Sequence, residues 1–188
     1  MQATLRQFWK AVMTDITKIP PTLIVLSGLP GSGKTVLAES LSRTLLIPVF
    51  SVDPIEAAMW RAGIDRTETG AAAYEVARAL ADEHLRLRLS VIVDAVNAAE
   101  APRAAWRKLA AKHRVNLKII ECVCSDETTL RQRIEGRVRS IAGTHELSWA
   151  NLLQRRAEYV AWTDPRLVLD TSHTSPSQLL TQALQYAR

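Results

Sequence analysis

Helices alternating with strands along most of the chain predict an α/β domain of three layers, with a five-stranded, mostly parallel sheet between helices. Three observations point there. Short apolar runs recur between stretches of helical periodicity. One of them, LSVIVDAVN at residues 89–97, is apolar almost throughout, as a strand buried on both faces requires. A third stretch, LIVLSGLPGSGKTVLAESLSRTLL at residues 23–46, runs from an apolar strand through a glycine-rich turn into an amphipathic helix. That is the beginning of a crossover unit, the connection from which parallel sheets are built.

Each element has its own signal. Over residues 3–18, Leu5, Phe8, Trp9, Val12, Met13 and Ile16 fall at helical spacing, and the Pro20-Pro21 pair ends that helix. The segment 1–21 is therefore expected to append one amphipathic helix to a main domain over 22–188. Strand one is expected at 22–27, helix one at 33–46 and strand two at 47–53. Asp53-Pro54-Ile55-Glu56 reads as an N-cap, a first-turn proline and an acidic third residue, opening a helix to about Ala62. A long helix over 71–88 precedes strand three. Helix 101–113, strand 117–123 and helix 126–136 follow. Residues 137–146 include Gly143 and read as a mobile stretch, so a lid is expected around 131–147. Helix 148–162, strand 167–169 and helix 176–187 complete the chain.

Bulk composition narrows the function classes. The 188 residues suit one domain, and an apolar fraction of 47% with 23% charged residues is that of an ordinary globular protein. The net charge of +5 is spread without a long basic run, and aromatics at 5% form no stacking motif, so nucleic acid is not the favoured partner. Cys122 and Cys124, two apart on a strand, read as core thiols rather than metal ligands, and the four histidines show no metal spacing. No apolar run is long enough for a membrane span and no signal peptide opens the chain; a cytoplasmic protein is expected. The oligomeric state stays open, with the first helix as the place to look for a dimer contact.

The chemistry is concentrated at Gly28-Leu29-Pro30-Gly31-Ser32-Gly33-Lys34-Thr35, an ungapped match to G-x-x-x-x-G-K-[ST]. Glycines at 28, 31 and 33 let successive backbone N–H groups turn toward an anion, with Pro30 and Ser32 between them. The following helix aims its unpaired N–H groups and positive dipole end, from Gly33 through Val36, at the same anion. Lys34 is spaced to reach the outer phosphates of a nucleotide, and the Thr35 hydroxyl to ligate Mg²⁺. Strand before and helix after are the context this pattern needs, so a P-loop NTPase fold binding ATP and Mg²⁺ is expected.

Further motifs give a resemblance. LSGLPGSGKT, an Asp after strand two (Asp53), VIVDAVN closing strand three and LRQRIEGRVR together resemble the small P-loop kinases. The likeness is closest to the branch of zeta toxins, polynucleotide kinases and chloramphenicol phosphotransferases, whose members are often called AAA-type ATP-binding proteins. It covers the chain from about Thr22 onward. It implies that Asp53 faces an acceptor hydroxyl and takes its proton, although an N-cap explains the same residue. Asp94, at the carboxyl edge of an apolar strand, would hold Mg²⁺, and Asp94-x-x-Asn97 resembles a D-x-T-N arrangement with Val96 in the usual threonine position. Among Arg131, Arg133, Arg137 and Arg139, the resemblance implies a lid arginine that offsets charge on the γ-phosphoryl group, with Arg137 first, then Arg133, and Arg155 and Arg156 further off. Asp170-Thr171 stands where relatives carry a pair near the cradle or base pocket.

The expected function is transfer of the γ-phosphoryl group of Mg-ATP to a hydroxyl of a small molecule. Two other readings stand beside it: a polynucleotide 5′-hydroxyl kinase, and a regulatory ATP-binding protein with slow hydrolysis. Ala95 follows Asp94 where a hydrolytic ATPase carries a glutamate, and no N-K-x-D guanine motif occurs; both favour ATP and transfer.

Overall fold

The computed structural model describes residues 21–136 and 148–188. The expected appended helix over 3–18, and most of the expected lid with Arg137 and Arg139, lie outside the described residues. In chain order the elements are β1 (Thr22–Ser27), α1 (Lys34–Leu45), β2 (Val49–Ser51), α2 (Val52–Arg61), α3 (Arg66–Arg86), β3 (Val91–Asp94), α4 (Glu100–His113), β4 (Asn116–Val123), α5 (Glu127–Glu135), α6 (Trp149–Ala157), β5 (Leu167–Asp170) and α7 (Pro176–Ala187). The five strands form one sheet in the order β2-β3-β1-β4-β5. Every pairing is parallel, with Leu26 beside Asp94 on one flank of β1 and beside Ile120 on the other.

Successive side chains of β1 point to opposite faces. Leu23 and Val25 pack with Val91 and Val93 against α3 and α4, where Ala73, Ala77, Ala81 and Leu85 meet Trp106 and Leu109. Ile24 and Leu26 pack with Ile92 and Ile120 against Leu37 and Leu41 of α1 and Leu179 and Ala183 of α7. The alanine stripe at every fourth residue lets the long α3 lie close to the sheet. β1 and β3 are neighbours, yet the helices that leave them, α1 and α4, cover opposite faces. Between the carboxyl ends of two such strands a crevice opens, and this is where open parallel sheets bind ligands.

Two boundaries differ from the sequence expectation for physical reasons. β2 stops at Ser51, which is the N-cap of α2, so Asp53 occupies the first turn of that helix instead of capping it. Pro54, also in that turn, lacks only an N–H that would have no helical partner there. The helix expected to reach Trp162 ends at Ala157. Beyond it the backbone turns away to other partners: Val160 N donates to Ala98 O at 2.9 Å, and the carbonyls of Val160 and Ala161 accept from Arg103.

Candidate functional site

The glycine-rich turn is built for close approach. Gly28, Gly31 and Gly33 have φ of 141°, 82° and 82°, a region side-chain-bearing residues avoid. A Cβ on Gly28 would lie 2.3 Å from the Cys122 carbonyl oxygen, and one on Gly31 2.7 Å from Leu130 Cδ1. The turn is closed by Ser32 N donating to Leu29 O at 3.1 Å, and α1 begins at Lys34 with no side-chain cap on its first N–H groups. Lys34 is buried at 5% exposure, and no carboxylate pairs with it among the described residues. Ser32 Oγ is buried without a hydrogen-bond partner. A buried hydroxyl left unpaired in this way calls for a ligand, because desolvating it without one is costly, and the Lys34 ammonium has no carboxylate partner to compete with an anion.

Asp94 stands across the crevice at the end of β3. It is 4% exposed; Oδ2 accepts from Ser51 Oγ at 3.1 Å, and Oδ1 is buried with no partner. Asp53 and Glu56, on one face of α2, act electrostatically with Asp94 on the Tyr74 phenol, whose pKa burial pushes up to about 12. Asp53, Glu56, Asp94 and Tyr74 are thus brought to one edge of the sheet. Asn97 is fully buried and has a left-handed backbone (φ 52°). Its Nδ2 donates to Leu26 O at 3.2 Å and its Oδ1 accepts from Trp106 Nε1 at 2.9 Å, so the D-x-x-N asparagine holds the loop after β3.

On the outer side of the glycine turn lies a cavity of about 530 Å³ lined by Lys34, Thr35, Val36, Arg133, Thr171 and Pro176, among others. Arg133, on α5, donates from Nη1 to Gly31 O at 3.2 Å and to Thr171 Oγ1 at 2.7 Å, and from Nη2 to Thr171 O at 2.8 Å. The Thr171 loop is itself pinned by Asp170, which accepts from the Ser125 and Ser172 hydroxyls; these bonds hold its carboxyl well below the usual carboxylate range. Lys34 and Thr35 therefore line one cavity with Arg133, while Asp53 and Asp94 are not among its lining residues. Arg155 and Arg156 lie at the end of α6 and are exposed.

Several members of this architecture carry no local signal. Ser51 and Tyr74 make their contacts with residues far away in the chain, and Tyr159 and Trp162 reach Ser27, 132 and 135 residues away. Arg103 has one: three residues before Trp106, it shares a helix face with Trp106 and Ala110 and is 1% exposed, a charge on an apolar stripe.

With this geometry in hand, comparison with known proteins is informative. A sequence profile of the AAA domain matches residues 23–162. The nucleotide-binding protein Smlt1108 of Stenotrophomonas maltophilia (strain K279a) is 28% identical over 173 residues, 89% of this chain and 53% of that protein. The chain thus spans about half the length of this curated relative. A candidate kinase from Chloroflexus aurantiacus has a similar structure, with a TM-score of 0.74 at 23% identity over 90% of this chain and 100% of that one. The APS kinase of Mycobacterium tuberculosis, in complex with AMPPNP and APS, gives 0.68 at 18% identity over 89% and 98%. The fold is that of the small P-loop kinases. No described helix is long and apolar enough to cross a membrane.

Proposed function

The chain belongs to the AAA domain family, and from that premise we propose that it is an ATP-dependent phosphotransferase acting on a hydroxyl of a small molecule. The observation that carries this reading is a set of groups without partners among the described residues, gathered at the carboxyl ends of β1 and β3: Lys34, Ser32 Oγ and Asp94 Oδ1. Their chemistry fits phosphate and a divalent cation, an ammonium and a hydroxyl for the one and a carboxylate oxygen for the other. Mg-ATP supplies the γ-phosphoryl group and the cation that offsets its charge.

In this reading residues 22–188 are the transferase domain and 131–147 its lid. Lys34, with the backbone N–H groups of Gly31 through Val36, binds the phosphates, Gly28 and Pro30 holding the turn in shape. Thr35 Oγ1 and Asp94 Oδ1 hold the metal, and Ser51 keeps Asp94 oriented by its bond to Oδ2. Asp53, in the first turn of α2 and with no side-chain hydrogen bond among the described residues, orients the acceptor hydroxyl and accepts its proton at a carboxylate oxygen. Arg133 keeps the nucleoside wall against the glycine turn, and Arg137, which lies outside the described residues, is assigned to the phosphates. Transfer is favoured over hydrolysis because Ala95, not a glutamate, follows Asp94.

The test is transfer of label from γ-labelled ATP with Mg²⁺, offering a metabolite extract and a 5′-hydroxyl oligonucleotide in separate tubes, with Lys34→Ala as the blank. A labelled small molecule, absent with Lys34→Ala, is the expected result. Label on the oligonucleotide alone would move the acceptor class to nucleic acid. Label released only as phosphate, with nucleotide binding intact, would overturn transfer in favour of a regulatory ATP-binding role.

A further inference from the structure

Under the glycine turn lies a buried polar cluster to which the proposed chemistry gives no role. Its centre is Ser27, the fully buried last residue of β1, directly before Gly28. Ser27 Oγ contacts Val96 O at 2.9 Å, Tyr159 Oη at 3.0 Å and Trp162 Nε1 at 3.1 Å. Trp162 Nε1 also reaches Tyr159 Oη at 3.0 Å, and Tyr159 Oη donates to Glu121 Oε1 at 2.8 Å. Glu121 is 7% exposed and is held on its other oxygen by Arg166 Nε at 2.5 Å.

Counting protons fixes most of this network. The Glu121 carboxylate only accepts, so the Tyr159 proton goes to it, and burial raises the Tyr159 pKa, keeping the phenol protonated. The Trp162 indole N–H is shared between the two hydroxyl oxygens. Ser27 gives its own proton to Val96 O, so its oxygen is tied to the segment around Tyr159 through the Trp162 N–H that both hydroxyl oxygens accept. Val96 lies between Asp94 and Asn97 in the loop after β3, and its carbonyl also accepts from Gly28 N at 3.4 Å. One hydroxyl therefore joins three pieces of chain: the root of the glycine turn, the loop that carries Asp94, and the segment 158–162.

That segment is fastened firmly. Arg103, 1% exposed and paired with no carboxylate among the described residues, spreads its donors over four carbonyls. Two belong to the Asp94 loop, Asn97 O at 2.8 Å and Ala98 O at 3.4 Å; two belong to the segment, Val160 O at 2.6 Å and Ala161 O at 3.1 Å. Its guanidinium also stacks on Trp162 at 4.1 Å and Tyr159 at 5.3 Å. A guanidinium buried on carbonyls alone is a rigid clamp, since each donor it gave up would leave a buried group unpaired.

We propose that Tyr159 is a positioning residue: by holding the Trp162 N–H on Ser27, which in turn bonds Val96, it fixes the distance between the phosphate-binding turn and Asp94, and so makes nucleotide and divalent cation bind cooperatively. The inference rests on the assignment of Asp94 to the metal under the proposed function. Phosphate contacts come from the turn and the cation contact from the other strand, so their mutual reinforcement depends on how rigidly the two are joined. Coupling of this kind is reciprocal: the factor by which Mg²⁺ tightens ADP binding is the factor by which ADP tightens Mg²⁺ binding.

The experiment is calorimetric titration of ADP in EDTA and in Mg²⁺, with wild type, Tyr159→Phe, Ser27→Ala and the double variant, each checked by its thermal midpoint. The expected result for Tyr159→Phe is an EDTA affinity within about twofold of wild type, with the tightening by Mg²⁺ reduced roughly fivefold or more. Ser27→Ala should reproduce it, and the double variant should lose no more than either single one, since both break the same link. Equal losses in EDTA and in Mg²⁺, or an unchanged Mg²⁺ response in both folded variants, would overturn the proposal. A wild type that binds ADP equally with and without Mg²⁺ would overturn the metal assignment itself, and the strut's role with it.

Discussion

Arg133 grips Thr171 twice, giving Nη1 to the hydroxyl at 2.7 Å and Nη2 to the carbonyl at 2.8 Å, while the same Nη1 reaches Gly31 O at 3.2 Å. One planar fork thus spans from α5 to the glycine turn and to the loop after β5. Both ends of that grip line the cavity beside the turn. The geometry makes Arg133 a wall and a brace, which is a ground-state task.

The consequence is kinetic. Arg133→Ala should weaken nucleotide binding about tenfold, roughly 1.4 kcal/mol, and change turnover at saturation little. Arg137→Glu should do the reverse, lowering turnover more than affinity, because a charge that acts on the transferring group matters most in the transition state. Steady-state kinetics beside equilibrium titration separate the two. Equal losses of affinity and turnover in Arg137→Glu would reduce that residue to a binding contact.

The glycine turn tests the fold rather than the chemistry. Gly28 and Gly63 both have positive φ, 141° and 84°. A Cβ at Gly28 meets the Cys122 carbonyl at 2.3 Å, while nothing lies within 4 Å of one at Gly63. Gly63→Ala should therefore cost only backbone strain, about 1–2 kcal/mol, lowering the thermal midpoint by roughly 2–4 °C for each kcal/mol. Gly28→Ala must also displace the β4 backbone and should lower it at least twice as far. Equal shifts by calorimetry would show that the turn has room to relax.

How much of this was legible from the sequence depends on how local each signal is. The turn from Gly28 to Thr35 could be read because its spacing is the mechanism, and Asp94 because it ends a wholly apolar strand. The sheet followed from apolar runs alternating with helical periodicity. Ser51 could not be read as a partner of Asp94, nor Tyr74 of Asn97, nor Tyr159 of Ser27: those pairs are separated by 43, 23 and 132 residues. Local propensity also misled where tertiary contacts prevailed. The pattern continued a helix to Trp162, but Arg103 and Ala98 bind the backbone beyond Ala157 outside any helix. The proline after Asp53 invited a cap there, but the N-cap lies two residues earlier, at Ser51.

Asp53 in the first turn of α2 gives a sharper expectation than Asp53 as a cap would have done. With no capping duty, Asp53→Asn should leave the thermal midpoint and ATP affinity nearly unchanged. Transfer should fall by roughly 10²–10⁴-fold, the usual contribution of a positioned base. Full transfer activity in that variant would remove Asp53 from the reaction.

The loop that Arg133 grips has its own pH dependence. Asp170 is held well below its ordinary pKa, first by the Ser125 hydroxyl and then by Ser172. A carboxyl lowered in the folded state stabilises the fold above its unfolded value, near 3.8, and that contribution is lost as pH falls below it toward the folded value. Wild type should thus be more stable than Asp170→Asn at neutral pH, with the gap between their thermal midpoints closing as the pH drops through that range. Because Asp170 neighbours Thr171, nucleotide affinity at neutral pH should fall in the same variant through slackening of the Arg133 brace. The two readouts separate the roles: a gap that stays constant with pH would mean the ionised carboxylate is not the stabilising species, and an unchanged affinity would mean Arg133 holds Thr171 without its help.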